Sequence, residues 1–236
     1  MVALEKLEDY ARVQGIARTV MELVRDSLYP GQKLIELRAL CEQAMLDLGA
    51  DSFWYWDIGA FVFAGEETTK SVSGREYQTS NYALKDNDIV TLDLSPQVDG
   101  IWGDFARTLV IEDGYPLPDA RRTNNLEWRA GIEAEHKLHR KLVEVASPEM
   151  SFEQLAAEMN SQIDAFGFSN RDFLGKLCHS IERQSADRIY LEPGNQALLG
   201  DIDLFTFEPH ICVPGGRFGY KHENIYYFRN GTLEVL

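Results

Sequence analysis

Five residues in the C-terminal two-thirds of the chain have the types and settings to do chemistry: Asp93, Asp104, His179, Glu208 and Glu223. In Ile89-Val90-Thr91-Leu92-Asp93-Leu94-Ser95, alternation sets Val90, Leu92 and Leu94 on one face and Thr91, Asp93 and Ser95 on the other. Trp102, Asp104, Ala106 and Thr108 share a face of the next strand, and Asp99-Gly100 between them is a turn signal. A hairpin centred between Val98 and Asp99 puts Asp93 directly opposite Asp104, with Cβ atoms about 4.5–5.5 Å apart. Two carboxylates that close cannot both ionise cheaply, so either they share a proton or a cation lies between them. Glu208, in Leu204-Phe205-Thr206-Phe207-Glu208, and Glu223, just before Ile225-Tyr226-Tyr227-Phe228, repeat the pattern of an acid set in an apolar strand. An unpaired charge in such a place is costly, and Pro209, which cannot donate to a ladder, marks a bulge or an edge. Recurrence of the pattern favours metal ions over surface charge. Hard oxygens with one imidazole suit Mn, Fe or Co, with Zn possible, and the chemistry open to such a set is hydrolysis by metal-activated water. Cys178 beside His179 reads as packing.

These residues need a scaffold of helices and strands. Leu4, Leu7, Ala11, Val20, Leu23 and Leu28 recur at near-helical spacing until Pro30-Gly31. A second helix runs through Leu34, Leu37, Cys41, Met45 and Leu48, with Gly49 as its stop. The aromatic stretch 52–63 reads as a buried strand pair, Gly65 to Asn81 as a loop, and Asp88 to Ile111 as a hairpin. A third helix is expected over Asp119 to Val145; its His136 and His139, among Lys137, Arg140 and Lys141, read as a solvated basic face. Ser151 and Gln154 form a capping box opening a fourth helix that Gly167 ends. Strands follow from Ile202. Helices followed by a two-strand unit bearing two acids occur once in each half. The mixture implies an α+β fold, and without a linker or low-complexity stretch residues 1–236 read as a single domain.

Composition narrows the function. With 38 acidic against 23 basic side chains, a net charge of −15 argues against nucleic acid as a partner. No apolar run approaches the ~20 residues that span a bilayer, so no membrane role is expected. The charged N-terminus is unlike a signal peptide. Cys41, Cys178 and Cys212 are an odd, widely spaced set, which argues against a disulfide framework. Together these features imply a cytoplasmic protein.

At the five residues the chain resembles the pita-bread metallopeptidases, the M24 family of methionine aminopeptidase, Xaa-Pro aminopeptidase, prolidase and creatinase. Asp88 to Ile111 has the layout D-x-S-x4-G-x2-G-D-F-x-R-T, most similar to the Xaa-Pro and creatinase branch; Phe205 to Ile211 resembles F-T-x-E-P, and Tyr220 to Phe228 the last strand. The resemblance covers nearly the whole chain. It implies two divalent metal ions, one on His179 and Glu208, the second on Asp93, with Asp104 and Glu223 bridging. It makes Glu208 the catalytic group that takes a proton from water. Departures accompany it. No histidine occurs in Lys70 to Tyr77, a second family histidine is replaced by Ser185-Ala186-Asp187, G-H-G-x-G has become Cys178-His179-Ser180-Ile181-Glu182, and an arginine two before the last glutamate is Lys221. The missing histidines normally assist the tetrahedral intermediate.

Three functions compete. The first is an aminopeptidase-like or dipeptidase-like hydrolase of a C–N bond. The second is a non-peptidase metalloenzyme acting on a small polar or anionic molecule, its carboxylate gripped by Arg75, Arg183 and Arg188. The third is a binding module without catalysis, disfavoured because all five ligand positions are kept. The partner is therefore a peptide or small-molecule substrate, and the helix-rich N-terminal surface and aromatic strand region could support a homodimer, common in the creatinase branch.

Overall fold

A computed structural model describes residues 4–236, with side chains from Lys6 onward. The first half contains helices α1 (Leu4–Asp26) and α2 (Leu34–Asp47) and strands β1 (Ser52–Phe53), β2 (Ala60–Ala64), β3 (Asp88–Leu94), β4 (Pro96–Val98), β5 (Ile101–Trp102), β6 (Phe105–Glu112) and β7 (Tyr115–Pro116). The second contains α3 (Leu126–Val145), α4 (Phe152–Ala165), β8 (Ser169–Asn170), β9 (Phe205–Phe207), β10 (His210–Cys212), β11 (Gly219–Lys221), β12 (Asn224–Arg229) and β13 (Thr232–Val235). All strand pairing is antiparallel, in sheets ordered β2-β3-β6-β7, β1-β4-β5, β13-β12-β9 and β11-β10-β8. None of the described helices is long and apolar enough to cross a membrane.

Helix α1 buries Tyr10, Val13, Ala17, Val20 and Val24, a stripe at three- and four-residue steps that lies against the first-half sheets. Ala11 and Leu23 fall on the outer face, Leu23 at 56 % exposure, and the Leu4 side chain lies outside the described residues. The expected apolar stripe is thus rotated, because burial follows the face where Val and Tyr side chains can lie on strands. Helix α2 buries Leu34, Leu37, Cys41 and Met45 as expected, and Gly49 follows it at φ 100°, which a glycine adopts without strain. The aromatic stretch 52–63 is not a strand pair: β1 joins β4 and β2 joins β3, because Trp56 and Asp57 take positive φ and turn the chain between them.

The hairpin register corrects the sequence expectation. Asp93 pairs with Ala106 rather than Asp104, and Val98 pairs with Ile101. Asp99 (φ 52°) and Gly100 (φ 74°) occupy both central turn positions, so the hairpin centres between them, one residue later than expected. The ladder is interrupted between β5 and β6, and Asp104 sits in that break. The second half repeats the design. β10 pairs with β11 (His210 with Lys221) and β9 with β12 (Phe207 with Asn224) in one continuous register. Glu208-Pro209 faces His222-Glu223 across its interruption, as Pro209 requires. Each half therefore breaks a long hairpin at acids, Asp104 in the first and Glu208 with Glu223 in the second, while Asp93 stays within the β3–β6 ladder.

Helix α3 starts later than expected. Asp119 to Asn125 is a 3-10 turn and loop, and the Asn125 side chain accepts from the Glu127 and Trp128 amides to cap the helix. His139 is buried, not solvated: Nδ1 meets Tyr226 Oη at 2.7 Å and Nε2 meets the His222 carbonyl at 2.9 Å. Periodicity alone hid this, since the Lys and Arg neighbours occupy the other side of the helix. Helix α4 has the expected Ser151–Gln154 capping box.

Two apolar cores result, one under α1 and α2 and one under α3 and α4. Ile225 and Tyr227 of β12 enter the first, and Ile89 of β3 and Val110 of β6 enter the second, so the halves interlock. At Gly131 of α3 an added Cβ would lie 2.2–2.4 Å from the buried Tyr220 ring. Alanine ordinarily gains about 0.5–1 kcal/mol over glycine in a helix, but overpacking of this kind costs about 1–3 kcal/mol. Gly131→Ala is therefore expected to lower the urea unfolding free energy, and a variant more stable than the parent would contradict this packing.

Candidate metal centre

The two halves meet where β6 lies beside β11 and β12. The Glu223 amide donates to the Ala106 carbonyl (2.9 Å), and the Lys221 amide donates to Thr108 Oγ1 (2.8 Å). This junction brings the acids of both broken hairpins together. The segment Leu177 to Ile181 runs along β9: the Thr206 amide donates to the His179 carbonyl (2.8 Å) and the Glu208 amide to the Leu177 carbonyl (2.9 Å). His179 and Glu208 are thereby carried to the same place.

Asp104, His179 and Glu223 offer ligand atoms that all lie within 4.8 Å of one another. They are 4 %, 5 % and 0 % exposed, so solvent does little to relieve their charge. His179 Nδ1 lies 2.9 Å from the Ser180 carbonyl, a partner that can only accept, which leaves the Nε2 lone pair facing inward. There Nε2 is 3.3 Å from Asp104 Oδ2 and 3.6 Å from Glu208 Oε1. Both Glu223 carboxylate oxygens are buried without a hydrogen-bond partner. A lone pair and carboxylates converging with no donor between them is an arrangement that a bound cation satisfies, so these residues fit a metal ion. Burial pushes the Asp104 carboxyl up to about 6, and burial and then Asp104 push Glu223 well above the carboxylate range.

Asp93 and Glu208 lie on the other side, and each has a cation. Lys221 Nζ is 2.5 Å from Asp93 Oδ2 and 3.4 Å from Glu208 Oε2. Burial opposes the lysine charge, but Asp93, Glu208 and Glu223 around it hold its pKa well above the usual value. The four acids and the imidazole of the sequence reading are thus gathered, Asp93 through a lysine rather than beside Asp104.

Two supporting residues carry no metal-ligand signature in the sequence. Gln14 of α1, fully buried, accepts from the Asp104 amide (2.8 Å) and donates to its carbonyl (2.7 Å), clamping the main chain at the ladder break. A glutamine in an apolar helix face was the available signal. Arg107 donates to the Glu223 carbonyl (2.6 Å) and to Asn224 Oδ1 (2.7 Å), and its desolvation brings its pKa down to about 9. Asp172 is a further acid on the cavity wall that the sequence did not single out.

Asp93, Asp104, His179, Glu208 and Lys221 floor a cavity of about 170 Å³ walled by Trp54, Tyr55, Phe61, Phe63 and Tyr190. Trp54 stacks on Trp102 at 4.5 Å, stands edge-on to His179 at 5.5 Å, and donates to the Gly103 carbonyl. Of the three expected arginines, Arg188 lines this cavity, its guanidinium 4.9 Å from the Trp54 ring and 5.3 Å from Tyr190. Arg75 is exposed over Trp56 and Arg183 is exposed near the Asp99 carbonyl; neither lines the cavity. Lys70 and Lys176 are also on its wall.

Residues 8–230 match the model of metallopeptidase family M24, and the chain belongs to that family. It is similar to the methionine aminopeptidase of Methanocaldococcus jannaschii, 24 % identical over 232 residues that make up 95 % of this chain and 71 % of the relative. The fold is the pita-bread fold. It superposes on the prolidase from Pyrococcus furiosus with a TM-score of 0.81 at 18 % identity, covering 99 % of this chain and 64 % of that one. It also matches the X-Pro aminopeptidase from Thermotoga maritima with a TM-score of 0.78 at 16 % identity, covering 99 % and 60 %. The chain thus spans less than two-thirds of these two solved structures.

Proposed function

We propose that the chain is a metal-dependent hydrolase of a C–N bond in a small, carboxylate-bearing substrate such as a dipeptide. The observation that carries this reading is the Glu223 carboxylate, buried without a partner and facing Asp104 and the His179 lone pair. A divalent ion held there, with Mn, Fe or Co favoured by the donor chemistry and Zn possible, would polarise a carbonyl and lower the pKa of water. The family resemblance implies two such ions.

The chain's own residues supply the rest. Glu208 lies within reach of both His179 and Lys221, and it is the group we assign to accept a proton from the attacking water and return it to the leaving nitrogen. The Ser180 carbonyl keeps His179 in one tautomer, while Gln14 and Arg107 hold Asp104 and Glu223 in place through their main chain. Trp54, Phe61 and Tyr190 exclude water from the reacting face. Arg188, half-buried over its aromatic neighbours, takes the substrate carboxylate, a bidentate contact that a lysine would not reproduce.

Protein loaded with Mn²⁺ or Co²⁺ and offered X-Pro and N-terminal dipeptides is expected to hydrolyse at least one class; no turnover across the panel would sink peptide cleavage. Arg188→Ala is expected to raise KM for a free-carboxylate substrate about 10–150-fold, the value of a hydrogen bond to a charged group, and to leave the corresponding amide nearly unaffected. Equal effects on acid and amide would remove Arg188 from carboxylate recognition.

A second reading is a non-peptidase hydrolase of a small anionic amide. The small cavity with Lys70, Lys176 and Arg188 on its wall favours it. Faster turnover of N-acyl or carbamoyl acids than of any dipeptide would establish it over the first.

A further inference from the structure

We infer that this chain's centre takes one divalent ion, on Asp104, His179 and Glu223, with the Lys221 ammonium as a built-in second cation on Asp93 and Glu208. The inference rests on the metal-dependent reading above and concerns how the five ligands are divided. Lys221 Nζ lies 2.5 Å from Asp93 Oδ2 and 3.4 Å from Glu208 Oε2, so it already occupies the space that an ion on Asp93 would need. A metal–carboxylate bond is only about 2.0–2.2 Å long. An ion at that distance from Asp93 would compete with the ammonium for the carboxylate and be repelled by it in a buried, weakly screened site.

The lysine is held where it is. Its amide donates to Thr108 Oγ1 (2.8 Å), and that hydroxyl donates to the Lys221 carbonyl (3.0 Å), fastening β11 to β6 from both sides. The side chain is only 16 % exposed, so it is not a surface lysine free to swing away. The preceding residue, Tyr220, is locked against Gly131 of α3. An ammonium is a compact charge on a flexible stem and fits between two carboxylates without the planar fork of a guanidinium.

The other half of the centre has no such cation. Asp104, His179 and Glu223 converge within 4.8 Å, and both Glu223 oxygens are orphaned in the interior. The unmet need for a cation is thus concentrated on that trio, while Asp93 and Glu208 are matched by a residue of the chain itself. The ammonium orients both carboxylates, and through Glu208 it places a positive charge beside the group assigned to proton transfer.

Titration of Mn²⁺ into metal-free protein, with bound metal counted by equilibrium dialysis and elemental analysis, tests the division directly. One tight equivalent is expected, with the electron paramagnetic resonance hyperfine pattern of an isolated Mn²⁺. Two tight equivalents, or the exchange-broadened spectrum of a coupled pair, would overturn the inference and leave the metal-dependent reading standing. No bound Mn²⁺ would overturn both. Lys221→Met is expected to admit a second equivalent and to produce the coupled spectrum; a folded variant still limited to one would count against the lysine as the excluding group. Asp93→Asn supplies an arm that does not depend on that variant folding. It should keep its single equivalent with affinity within about tenfold, whereas Glu223→Gln should lose it. Loss of metal from Asp93→Asn comparable to that from Glu223→Gln would place Asp93 on the ion and refute the division.

Discussion

Glu208→Gln is expected to lower kcat by about 10²–10⁴, the usual contribution of a positioned general base, while most of the Mn²⁺ content is retained. The amide keeps the shape of the side chain and can still accept from Lys221 Nζ, 3.4 Å away in the parent, but it cannot take up a proton. The charge lost is the one facing His179 Nε2 at 3.6 Å, so some weakening of metal affinity will accompany the loss of turnover. Assays at saturating Mn²⁺ separate the two effects. If kcat recovers at high metal, Glu208 acts chiefly as a ligand; if kcat remains low on fully loaded protein, it acts on the proton. Asp104→Asn serves as the contrast, because its main effect should be on metal content itself. An unchanged kcat in Glu208→Gln would remove this residue from catalysis.

The second large effect is on stability. Above about pH 6.5 the buried histidines contribute little further pH dependence. His139, pushed down to about 3 by burial, and His210, to about 4, are neutral in the folded protein, and histidines in the unfolded chain are then neutral as well. Their stabilisation is present above about pH 6.5 and is lost as pH falls toward the folded values. The acids act in the opposite direction. Glu223 and Glu135, both raised well above the carboxylate range primarily by burial, still bind protons in the folded metal-free protein that the unfolded chain has released. Stability of the metal-free protein therefore falls as pH rises beyond about 6.5. A divalent ion on the Glu223 trio offsets part of that loss, and its affinity grows with pH because its ligands must be deprotonated. At a hundredfold excess over Kd the gain is about 2.7 kcal/mol, which for a chain of this size raises Tm by roughly 5–10 °C. Scanning calorimetry from pH 6 to 8.5 with and without Mn²⁺ should show an increment that widens with pH. An increment that is absent, or that shrinks as pH rises, would contradict metal binding at these ligands. The Glu135 contribution should persist in the metal-loaded protein, since that carboxylate lies outside the trio.

Much of the architecture was legible from local signals. The Ser151–Gln154 capping box, Gly49 after α2, and the alternation around Asp93 each depend on neighbouring residues and emerged as read. Errors arose where two local rules fitted equally well. Asp99-Gly100 announced a turn, but only the positive φ of both residues fixed its centre, and a one-residue displacement exchanged Asp104 for Ala106 opposite Asp93. In α1 the apolar residues could describe more than one stripe, and contact with the sheet selected Tyr10, Val13, Ala17 and Val20 over Leu23. His139 reads as polar among basic neighbours until Tyr226 and the His222 carbonyl arrive from the far strand.

By itself, the sequence determined which residues could hold a cation and that each acid sits at an apolar strand or its end, because side-chain type and two-residue alternation are local properties. Set beside the family pattern, it also marked Lys221, the histidine-free segment Lys70 to Tyr77 and Ser185-Ala186-Asp187 as departures. Only the tertiary structure decided which acids face one another. Asp104 and Glu223 are brought together by β6 lying beside β12, with Gln14 and Arg107 clamping the two main chains. Lys221 reaches Asp93 across 128 positions of sequence. The physical reason is that charge in a protein interior is balanced across whatever surfaces packing presses together. No periodicity along the chain specifies that contact until the two halves interlock.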